Sequence, residues 1–559
     1  MKRETWVLVV ILIVAALLRL VNLGQGDPLG DESILAFRAV GLLDFDAAAR
    51  QTTPLEWFDP DAPWWTRLSW HDHPPLHFWL QHVSLAMLGD TRAGFRFPSA
   101  LLGIGSVWLM YLIASRLFDR RAGLIAAALL AITVSHVFIS RVGLQEGPLI
   151  FFMLLAVYGF LRGMEHHRFF LLAGATLGAA LLTKYTAAVL LPLFFVCLLL
   201  RDRRAFASSS LWFGIVILAV VLSPAIIYNV MLYRTVGHFD FQLSYVLGQH
   251  PQAWQSAPGK EEIGTLPDRM RNFFPALAKG NSPLFLAAFA AGIALSLRRL
   301  LGKKGSPADV FVMLAIAFFV SWLFVIGPTR RFVTLLTPFF ALAAIPLLSA
   351  LYERFSKRFA VSGMAVLAAV ELLYSINTQL LPYPVGAKYL AYADTRFETY
   401  AWGYAALDDA LAKRIEGKFP SLRLETTYAF LERLADAGIE QAKQTGAVPS
   451  PTLFVYDENL LPGPRLWIMD RRQVYRGWPF MNAATYNTIL EEKGADYFSR
   501  AGLTEQFFIA PTVNVPLRPK DRQTSFGLEL ERQLINRGKT PIEVITNPRG
   551  EPVFRIYKM

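Results

Sequence analysis

The 559-residue chain has little cysteine and little charge. Its single cysteine, Cys197, lies in an apolar run, which excludes a disulfide framework and a cysteine-based metal site. Charged residues make up 18% of the chain, below the roughly 25% of soluble domains, whereas hydrophobic residues make up 54% and the mean hydropathy is +0.37. This is too little charge to cover a soluble surface, so the composition predicts a membrane protein.

Eleven apolar runs are long enough to cross, as helices, the roughly 30 Å of a bilayer's hydrocarbon core. The first follows Lys2 and Arg3, and no small-residue cleavage site comes after it, which favours an uncleaved anchor over a signal peptide. A shorter segment, 75–88, is rich in aromatic residues and histidine and is predicted to be a helix at the outer interface. The eleven runs lie at residues 5–23, 96–115, 121–139, 146–163, 168–183, 184–200, 210–231, 283–297, 309–327, 332–352 and 358–378.

The positive charge is concentrated on one side of this topology. If the spans alternate from a cytoplasmic N-terminus, the cytoplasmic segments carry 17 Lys and Arg against 5 Asp and Glu, which accounts for the net charge of +12. This agrees with the positive-inside rule. Topology therefore explains the pI of about 9.6, and a nucleic-acid partner is not predicted.

The topology predicts a polytopic α-helical membrane protein with two domains. Residues 1–380 form a transmembrane domain with external loops at 24–95 and 232–282, and residues 381–559 form a soluble extracytoplasmic α/β domain. The latter has 23 Lys and Arg against 21 Asp and Glu from residue 382 onward. Its net charge therefore does not predict strong electrostatic binding to an anionic partner. Its sequence pattern predicts strands at 452–456, 465–469, 507–510 and 542–546, and helices at 406–417 and 427–443.

Ionisable residues at the outer ends of the spans form the candidate site. Charged groups are costly in a bilayer, so such residues are functional candidates. Arginine and lysine can hold a lipid-linked phosphate and stabilise the charge that grows on it as it leaves. A carboxylate can accept the proton of an attacking hydroxyl. The candidates are Asp31, Glu32, His71, Asp72, His73, Arg141, Glu146, Lys184, Arg330 and Arg331.

Each candidate also has a structural alternative. Asp31 and Glu32 could cap a helix that begins near residue 33, and the paired arginines before the tenth span could be interfacial anchors. The sequence His71, Asp72, His73 could be interfacial or part of a metal site, so no cofactor is required but a divalent metal is left open. Lys184 interrupts an apolar stretch and therefore lies in a water-accessible turn or is paired.

Several stretches of the first half of the chain resemble the GT-C class of glycosyltransferases. The nearest branch is that of the protein O-mannosyltransferases and the bacterial aminoarabinose transferases of lipid A. The resemblance covers roughly residues 1–350 and does not extend into the C-terminal tail. It is carried by GDESILAFRAVGLL at 30–43, HDHPPLHFWL at 71–80, the segments 95–132 and 140–160, LLTKYTAAVLLP at 181–192 and RRFVTLLTPFFALAAI at 330–345.

The resemblance implies an inverting transfer of a sugar from a polyprenyl-phosphate carrier to an acceptor on the extracytoplasmic face. Asp31 corresponds to the acceptor-activating base, with Glu32 in support, and Glu146 stands where the family usually has aspartate. The position of His73 is a histidine in the mannosyltransferases and a lysine in the aminoarabinose enzymes. The implied donor-phosphate residues are His73, Arg141, Lys184, Arg330 and Arg331, and the implied substrate-binding residues are His71, Asp72 and Glu146.

Two other functions remain open from the sequence. A secondary transporter or lipid-linked sugar flippase also has about this many spans, but transporters place their charges near the bilayer midplane, often in repeated halves, and no repeat is visible here. A non-catalytic accessory subunit is disfavoured by the intact Asp31. The predicted partners are a polyprenyl-phosphate sugar, membrane lipids and an acceptor glycolipid, glycan or protein. The low cysteine content and short external elements favour a prokaryotic inner membrane.

Overall fold

Two units of different secondary structure make up the part of the chain that the structure describes. A helical unit contains the described residues up to 24 and from 63 to 397, and an α/β unit contains those between 25 and 44 and from 398 onward. The predicted domain boundary at residue 380 stays a prediction. In this computed structural model, the described residues are 2–28, 30–44, 63–249, 264–426, 428–519 and 522–559.

The apolar runs of the first two thirds of the chain form long helices. Side chains of Thr91, Asp119, Ser282 and Ser306 accept backbone N–H groups at four helix starts, which fixes where these helices begin. Of the helices up to residue 379, α2 belongs to the α/β unit and the rest to the helical unit. They are α1 (Lys2–Leu20), α2 (Gly30–Gly41), α3 (Leu76–Leu88), α4 (Arg92–Leu117), α5 (Arg120–Ile132), α6 (Val134–Arg141), α7 (Glu146–Glu165), α8 (Phe170–Thr183), α9 (Leu190–Arg201), α10 (Ser209–Val236), α11 (Phe241–Val246), α12 (Leu266–Gly280), α13 (Pro283–Leu301), α14 (Pro307–Ile326), α15 (Thr337–Arg354) and α16 (Lys357–Gln379).

Each of the eleven runs predicted to span the membrane coincides with a helix or with a bent pair of helices. Within the described residues, seven helices are long and apolar enough to cross a membrane, or eight if the pair α5 and α6 forms one span. Helices α8 and α9 are shorter apolar helices, and α1 is not among the seven. The fold is that of a polytopic helical membrane protein, and the number of eleven crossings stays a prediction.

The packing of the helical unit ranges from a buried centre to an exposed apolar periphery. The apolar window of α15 and the 3₁₀ turn before it is 83% buried, whereas that of the neighbouring α13 is 17% buried. Small residues allow close approach where helices cross. A Cβ added at Gly174 of α8 would lie 2.0 Å from the carbonyl oxygen of Gly214 in α10, so this crossing requires glycine.

The α/β unit is built on a five-stranded sheet in the order β4–β3–β5–β7–β6. The first three strands are parallel, whereas β7 is antiparallel to both of its neighbours. A separate parallel pair joins β1 and β2. The strands are β1 (Lys418–Pro420), β2 (Val448–Ser450), β3 (Thr452–Tyr456), β4 (Phe480–Asn482), β5 (Glu505–Pro511), β6 (Glu543–Thr546) and β7 (Pro552–Lys558), and the helices are α17 (Tyr404–Ile415), α18 (Ala429–Gln444), α19 (Pro462–Arg465), α20 (Arg471–Arg476), α21 (Ala483–Lys493), α22 (Tyr497–Arg500) and α23 (Ser525–Asn536).

Three of the four strands predicted in the tail are confirmed, and one is wrong. Segment 465–469, predicted as a strand, is helical: α19 continues into a π-helical turn, Leu466–Asp470, and then into α20. A short, fully apolar run has no periodicity that separates a buried strand from a buried helix. Here the run is buried among helices, and Leu466 packs with Phe37 of α2 and Tyr475 of α20.

Helix α2 is an integral part of the α/β unit although it precedes that unit's other elements by more than 350 residues. Phe37 of α2 and Tyr475 of α20 have ring centroids 5.2 Å apart, and the Tyr475 hydroxyl donates to the Phe37 carbonyl at 2.9 Å. Just before α2, the Asp27 carboxylate accepts the backbone N–H of Ala405 at 2.8 Å. These contacts fix the start of the helix that carries Asp31.

Candidate active site

Two cations from separate turns meet one buried carboxylate in the helical unit. Glu146 is the first residue of α7 and is 1% exposed. The Lys184 Nζ lies 2.6 Å from Glu146 Oε1, and the Arg331 Nε lies 3.2 Å from the same oxygen. The sequence left open whether Lys184 was in a water-accessible turn or paired, and the structure shows that it is paired.

Local structure explains why these three side chains converge. Lys184 takes an extended conformation between the end of α8 and the 3₁₀ turn Tyr185–Val189. Arg331 directly precedes the 3₁₀ turn Phe332–Leu336. The Phe332 ring lies beneath both cations, 4.5 Å from Lys184 Nζ and 5.1 Å from the Arg331 guanidinium carbon, so cation–π contacts add to the ion pairs.

Arg330 and Arg331 are adjacent in sequence but point to different partners. Arg330 donates to the backbone carbonyl of Asp394 at 2.6 Å, and its guanidinium lies 3.7 Å from the Asp394 carboxylate. Lys388 lies 3.0 Å from that carboxylate. Of the two arginines predicted at the donor phosphate, Arg331 therefore shares Glu146 with Lys184, and Arg330 belongs to a neighbouring group.

The segment with His71, Asp72 and His73 forms a turn before α3. The Asp72 carboxylate lies 2.9 Å from His73 Nδ1 and 3.9 Å from His71 Nε2. His71 is almost fully buried, whereas the His73 side chain is 23% exposed. Asp72 therefore lies beside His73, the histidine that the sequence predicts near the donor phosphate.

His77, which the sequence did not single out, links that turn to the buried ion pairs. It is the second residue of α3, is fully buried, and donates through Nε2 to the Gly143 carbonyl at 3.1 Å. Burial lowers the pKa of His77 to about 4. The charges of Glu146, His73 and Lys184 lie close enough to influence this pKa as well. The ring is therefore neutral at pH 7, and His73 and the Glu146 group lie in one electrostatic neighbourhood.

The low pKa of His77 predicts a loss of stability in mild acid. The unfolded chain takes up a proton near pH 6.5 and the folded chain near pH 4, so the free energy of unfolding should fall by about 3 kcal/mol over this window. His77→Gln keeps a donor for Gly143 and removes the titration. We expect thermal unfolding of the detergent-solubilised wild type to move down by several degrees more than that of His77→Gln between pH 7 and 4.5. Equal shifts in both proteins would contradict the assignment.

A second network that the sequence did not single out is centred on Asp240, at the start of α11. Its buried carboxylate accepts the Tyr185 hydroxyl and the Asn229 amide, each at 2.8 Å. Burial raises the pKa of Asp240. The next two residues hold the histidine turn, because the Phe241 N–H donates to the His71 carbonyl and the Gln242 amide to the Asp72 carbonyl, each at 2.8 Å. Asp240 thus connects the turn that contains Lys184 with the turn that contains His73.

Arg141 ends α6 and is 7% exposed. Its two terminal nitrogens donate to the backbone carbonyls of Leu18 at 2.8 Å and Asn22 at 3.1 Å, at the end of α1. Arg96 and Arg396 lie close enough to repel its charge. The structure therefore gathers buried arginines here and anchors them on backbone oxygens.

Asp31 and Glu32 lie in the first turn of α2, in the α/β unit. Asp31 is exposed, whereas Glu32 is fully buried. The two adjacent carboxylates therefore differ in access to solvent.

Several residues of this site lie in a segment that is similar to known proteins. The family model described as dolichyl-phosphate-mannose-protein mannosyltransferase matches residues 72–228, which include His73, Arg141, Glu146 and Lys184. Two proteins of Bacillus subtilis (strain 168), both provisionally named mannosyltransferases, are similar in sequence. YkcB is 29% identical over 210 residues, which are 34% of this chain, and YycA is 28% identical over 226 residues, which are 40% of this chain. The chain spans 29% and 31% of the lengths of these two relatives.

One solved structure has a similar fold over almost the whole length of this chain. ArnT from Cupriavidus metallidurans, solved bound to undecaprenyl phosphate, aligns with a TM-score of 0.53 and 16% identity, covering 99% of this chain and 98% of ArnT. At this identity the likeness concerns the fold. With the family match, it confirms the resemblance to GT-C glycosyltransferases that the sequence predicted.

Proposed function

We propose that this chain is a membrane glycosyltransferase that transfers a sugar from a polyprenyl-phosphate carrier to an acceptor. The main support is the convergence of Lys184 and Arg331 on Glu146, within the electrostatic neighbourhood of His73. Such cations can bind a phosphodiester and stabilise the charge left on the lipid phosphate as the sugar departs. The undecaprenyl phosphate bound to ArnT, a protein of similar fold, supports the same class of donor.

The proposed reaction inverts the configuration at the sugar carbon. A deprotonated carboxylate takes the proton of the acceptor hydroxyl as its oxygen attacks that carbon, and the lipid phosphate leaves with the electron pair of the broken bond. The sequence resemblance assigns Asp31 as this base and Glu32 as its support. His73, Arg141 and Arg330 are proposed to assist Lys184 and Arg331 at the phosphate, with His71, Asp72 and Glu146 orienting them.

We further propose that the site and the α/β unit face the extracytoplasmic side of the inner membrane. The charge distribution supports this orientation, because the segments predicted on the opposite side carry 17 cations against 5 carboxylates. The proposed acceptor is a glycolipid, a glycan or a protein hydroxyl that reaches this face.

The reaction class is tested by donor consumption. Purified protein, reconstituted in liposomes with total cell-envelope extract, is offered undecaprenyl-phosphate sugars that carry a labelled hexose or pentose. We expect the wild type to release undecaprenyl phosphate and to move the label into an extractable product. Empty liposomes with the same extract serve as the control.

Two outcomes of that experiment would contradict the proposal. The first is consumption that is equal in empty and protein-containing liposomes. The second is an absence of consumption while labelled lipid crosses the bilayer only in the presence of the protein, which would identify a flippase or transporter.

A further inference from the structure

A pocket of about 380 Å³ lies in the α/β unit, between β1, the last two turns of α18 and the turn that follows α20. This volume falls in the range of small-molecule sites, about 300–1,000 Å³. None of its lining residues belongs to the candidate transferase site, and it is called the α18 pocket below. Its main polar and aromatic lining residues are Lys418, Phe419, Gln441, Thr445, Arg476 and Trp478.

Two glycines shape the wall of the α18 pocket. Gly477 ends α20 with a φ of +70°, in the left-handed region that favours glycine, and this tight turn brings both Arg476 and Trp478 to the pocket. Gly438 lets α18 approach α20 closely, because an added Cβ would lie 2.0 Å from the Tyr475 carbonyl oxygen. Packing between the two helices therefore fixes this wall without a ligand.

The charged side chains that line the pocket are cations. Lys418 is exposed, and its ammonium group has no hydrogen-bond or ion-pair partner among the described residues. Arg476 donates to the side-chain oxygen of Gln441 at 2.8 Å, which holds the guanidinium at the pocket. No aspartate or glutamate is among the described residues that line it. The pocket therefore favours a ligand with an anionic group.

The pocket also has groups that a bare inorganic anion would not use. Trp478 is 3% exposed, and its ring lies 6.3 Å from that of Phe454. Among the described residues its indole N–H has no hydrogen-bond partner, whereas buried tryptophans usually have one. The half-buried side chains of Phe419 and Ile415 add apolar surface. A sugar that carries an acidic group combines the required features: an anion, neutral acceptor oxygens and C–H surface.

The α18 pocket and the helix that carries Asp31 both contact α20. Gly438 packs against the backbone of Tyr475 in α20, and the Tyr475 hydroxyl donates to the Phe37 carbonyl of α2 at 2.9 Å. Leu434 of α18 also packs in the cluster that contains Phe37. Helices α2, α18 and α20 thus form one packed group, so a ligand in the pocket is held on the same unit as the proposed base.

We infer that the α18 pocket binds a sugar residue that carries a carboxylate or a phosphate group, and that this sugar belongs to the acceptor. Lys418 and Arg476 bind the anionic group, and the Trp478 indole N–H donates to a sugar oxygen. The acceptor role rests on the proposed function, whereas the binding of an acidic sugar does not depend on it.

Binding is tested with the full-length protein in phosphatidylcholine nanodiscs, without a lipid-linked donor. Saturation-transfer NMR compares methyl glucuronide and glucose 6-phosphate with neutral methyl glucoside, and inorganic phosphate is added as a competitor. We expect at least one acidic sugar to bind ten-fold or more tightly than methyl glucoside. The two acidic probes separate a carboxylate ligand from a phosphate ligand. Equal binding of the neutral sugar, or competition by inorganic phosphate at the affinity of the sugar phosphate, would overturn the inference.

Substitutions assign this binding to the pocket. Lys418→Gln should weaken acidic-sugar binding about three- to five-fold, and the double variant Lys418→Gln, Arg476→Gln at least ten-fold, with neutral-sugar binding unchanged. A folding defect would weaken both kinds of sugar. The control is the double variant Lys539→Gln, Arg433→Gln, which removes two exposed cations of the same unit and should match the wild type.

Two results of the binding experiments would overturn the site. The first is wild-type affinity for acidic sugars in both Lys418→Gln and the double pocket variant. The second is the absence of binding of either acidic sugar to the wild type at about 10 mM. Trp478→Phe adds an independent measurement, because it keeps an aromatic ring but removes the N–H, and it should weaken acidic and neutral sugars alike by several-fold.

The acceptor role is tested in the reconstituted transfer assay. The double pocket variant should need at least ten-fold more cell-envelope extract for its half-maximal rate, with an unchanged KM for the lipid-linked donor. Wild-type dependence on extract in a variant that has lost sugar binding would overturn the acceptor role. A wild type that consumes no donor would refute the proposed function, whereas the NMR measurement would still support or overturn the sugar site.

Discussion

Replacing Asp31 with asparagine is expected to lower turnover by about 10²- to 10⁴-fold, the range attributed to a general base. Asparagine has almost the same shape but does not accept the acceptor proton at neutral pH. Asp31 is exposed at the start of α2, so the substitution should leave the unfolding temperature unchanged. The measurement is the initial rate of label transfer by the reconstituted variant, together with its affinity for undecaprenyl phosphate, which should stay within a few-fold of the wild type.

Asp496→Asn is the matched control for Asp31→Asn. Asp496 is an exposed carboxylate of the same unit that pairs with Arg500 at 3.0 Å, so its loss should alter neither rate nor donor affinity. Wild-type turnover by Asp31→Asn would refute the base assignment. An equal loss in both variants would show that the assay responds to surface charge.

Removing the Lys184 ammonium group should have the second largest effect. Lys184→Gln takes away a cation proposed at the lipid phosphate, and we expect kcat/KM for the donor to fall by about 10²- to 10³-fold. It also leaves Glu146 with Arg331 as its ion-pair partner, so the free energy of unfolding should fall by about 2 kcal/mol, less than the 3–5 typical of a fully broken buried pair.

The double variant Lys184→Gln, Glu146→Gln separates these two effects. Neutralising the carboxylate removes the buried charge that Lys184 compensates, so the unfolding temperature should return toward that of the wild type while turnover stays low. Recovery of turnover in the double variant would show that Lys184 only balances Glu146. The exposed Lys304→Gln is the control and should match the wild type in both measurements.

The sequence predicted the helices well because hydropathy is a local property. All eleven apolar runs are helical, and Lys184 could be singled out because one cation interrupts an otherwise apolar stretch. From the sequence, pairing was one of two alternatives for Lys184. The partner could not be identified, because Glu146 is 38 residues away along the chain. The strand predicted at 465–469 is wrong for the opposite reason. The conformation of this run depends on the surface against which it packs, which is not a local property of the sequence.

The residues that the sequence missed share one property. His77 and Asp240 are single polar groups in or beside apolar segments, where each looks like an ordinary buried or capping residue. Their roles come from partners far along the chain, such as Gly143 for His77 and the histidine turn for the residues after Asp240. Spacing in a single sequence contains no signal for such pairings, whereas the cost of unsatisfied buried groups explains them once the packing is known.

The membership of α2 in the α/β unit has a consequence for biosynthesis. This helix leaves the ribosome early, but the side chains that bury its apolar face, Leu466 and Tyr475, are more than 400 residues further along the chain. At about 5–20 residues per second, they are synthesised roughly 20 to 90 s later. The helix that carries Asp31 therefore lacks these packing partners until most of the protein has been translated. A polypeptide interrupted before α19 would contain its membrane helices, but it would lack the side chains that bury the apolar face of α2, the helix with the proposed base.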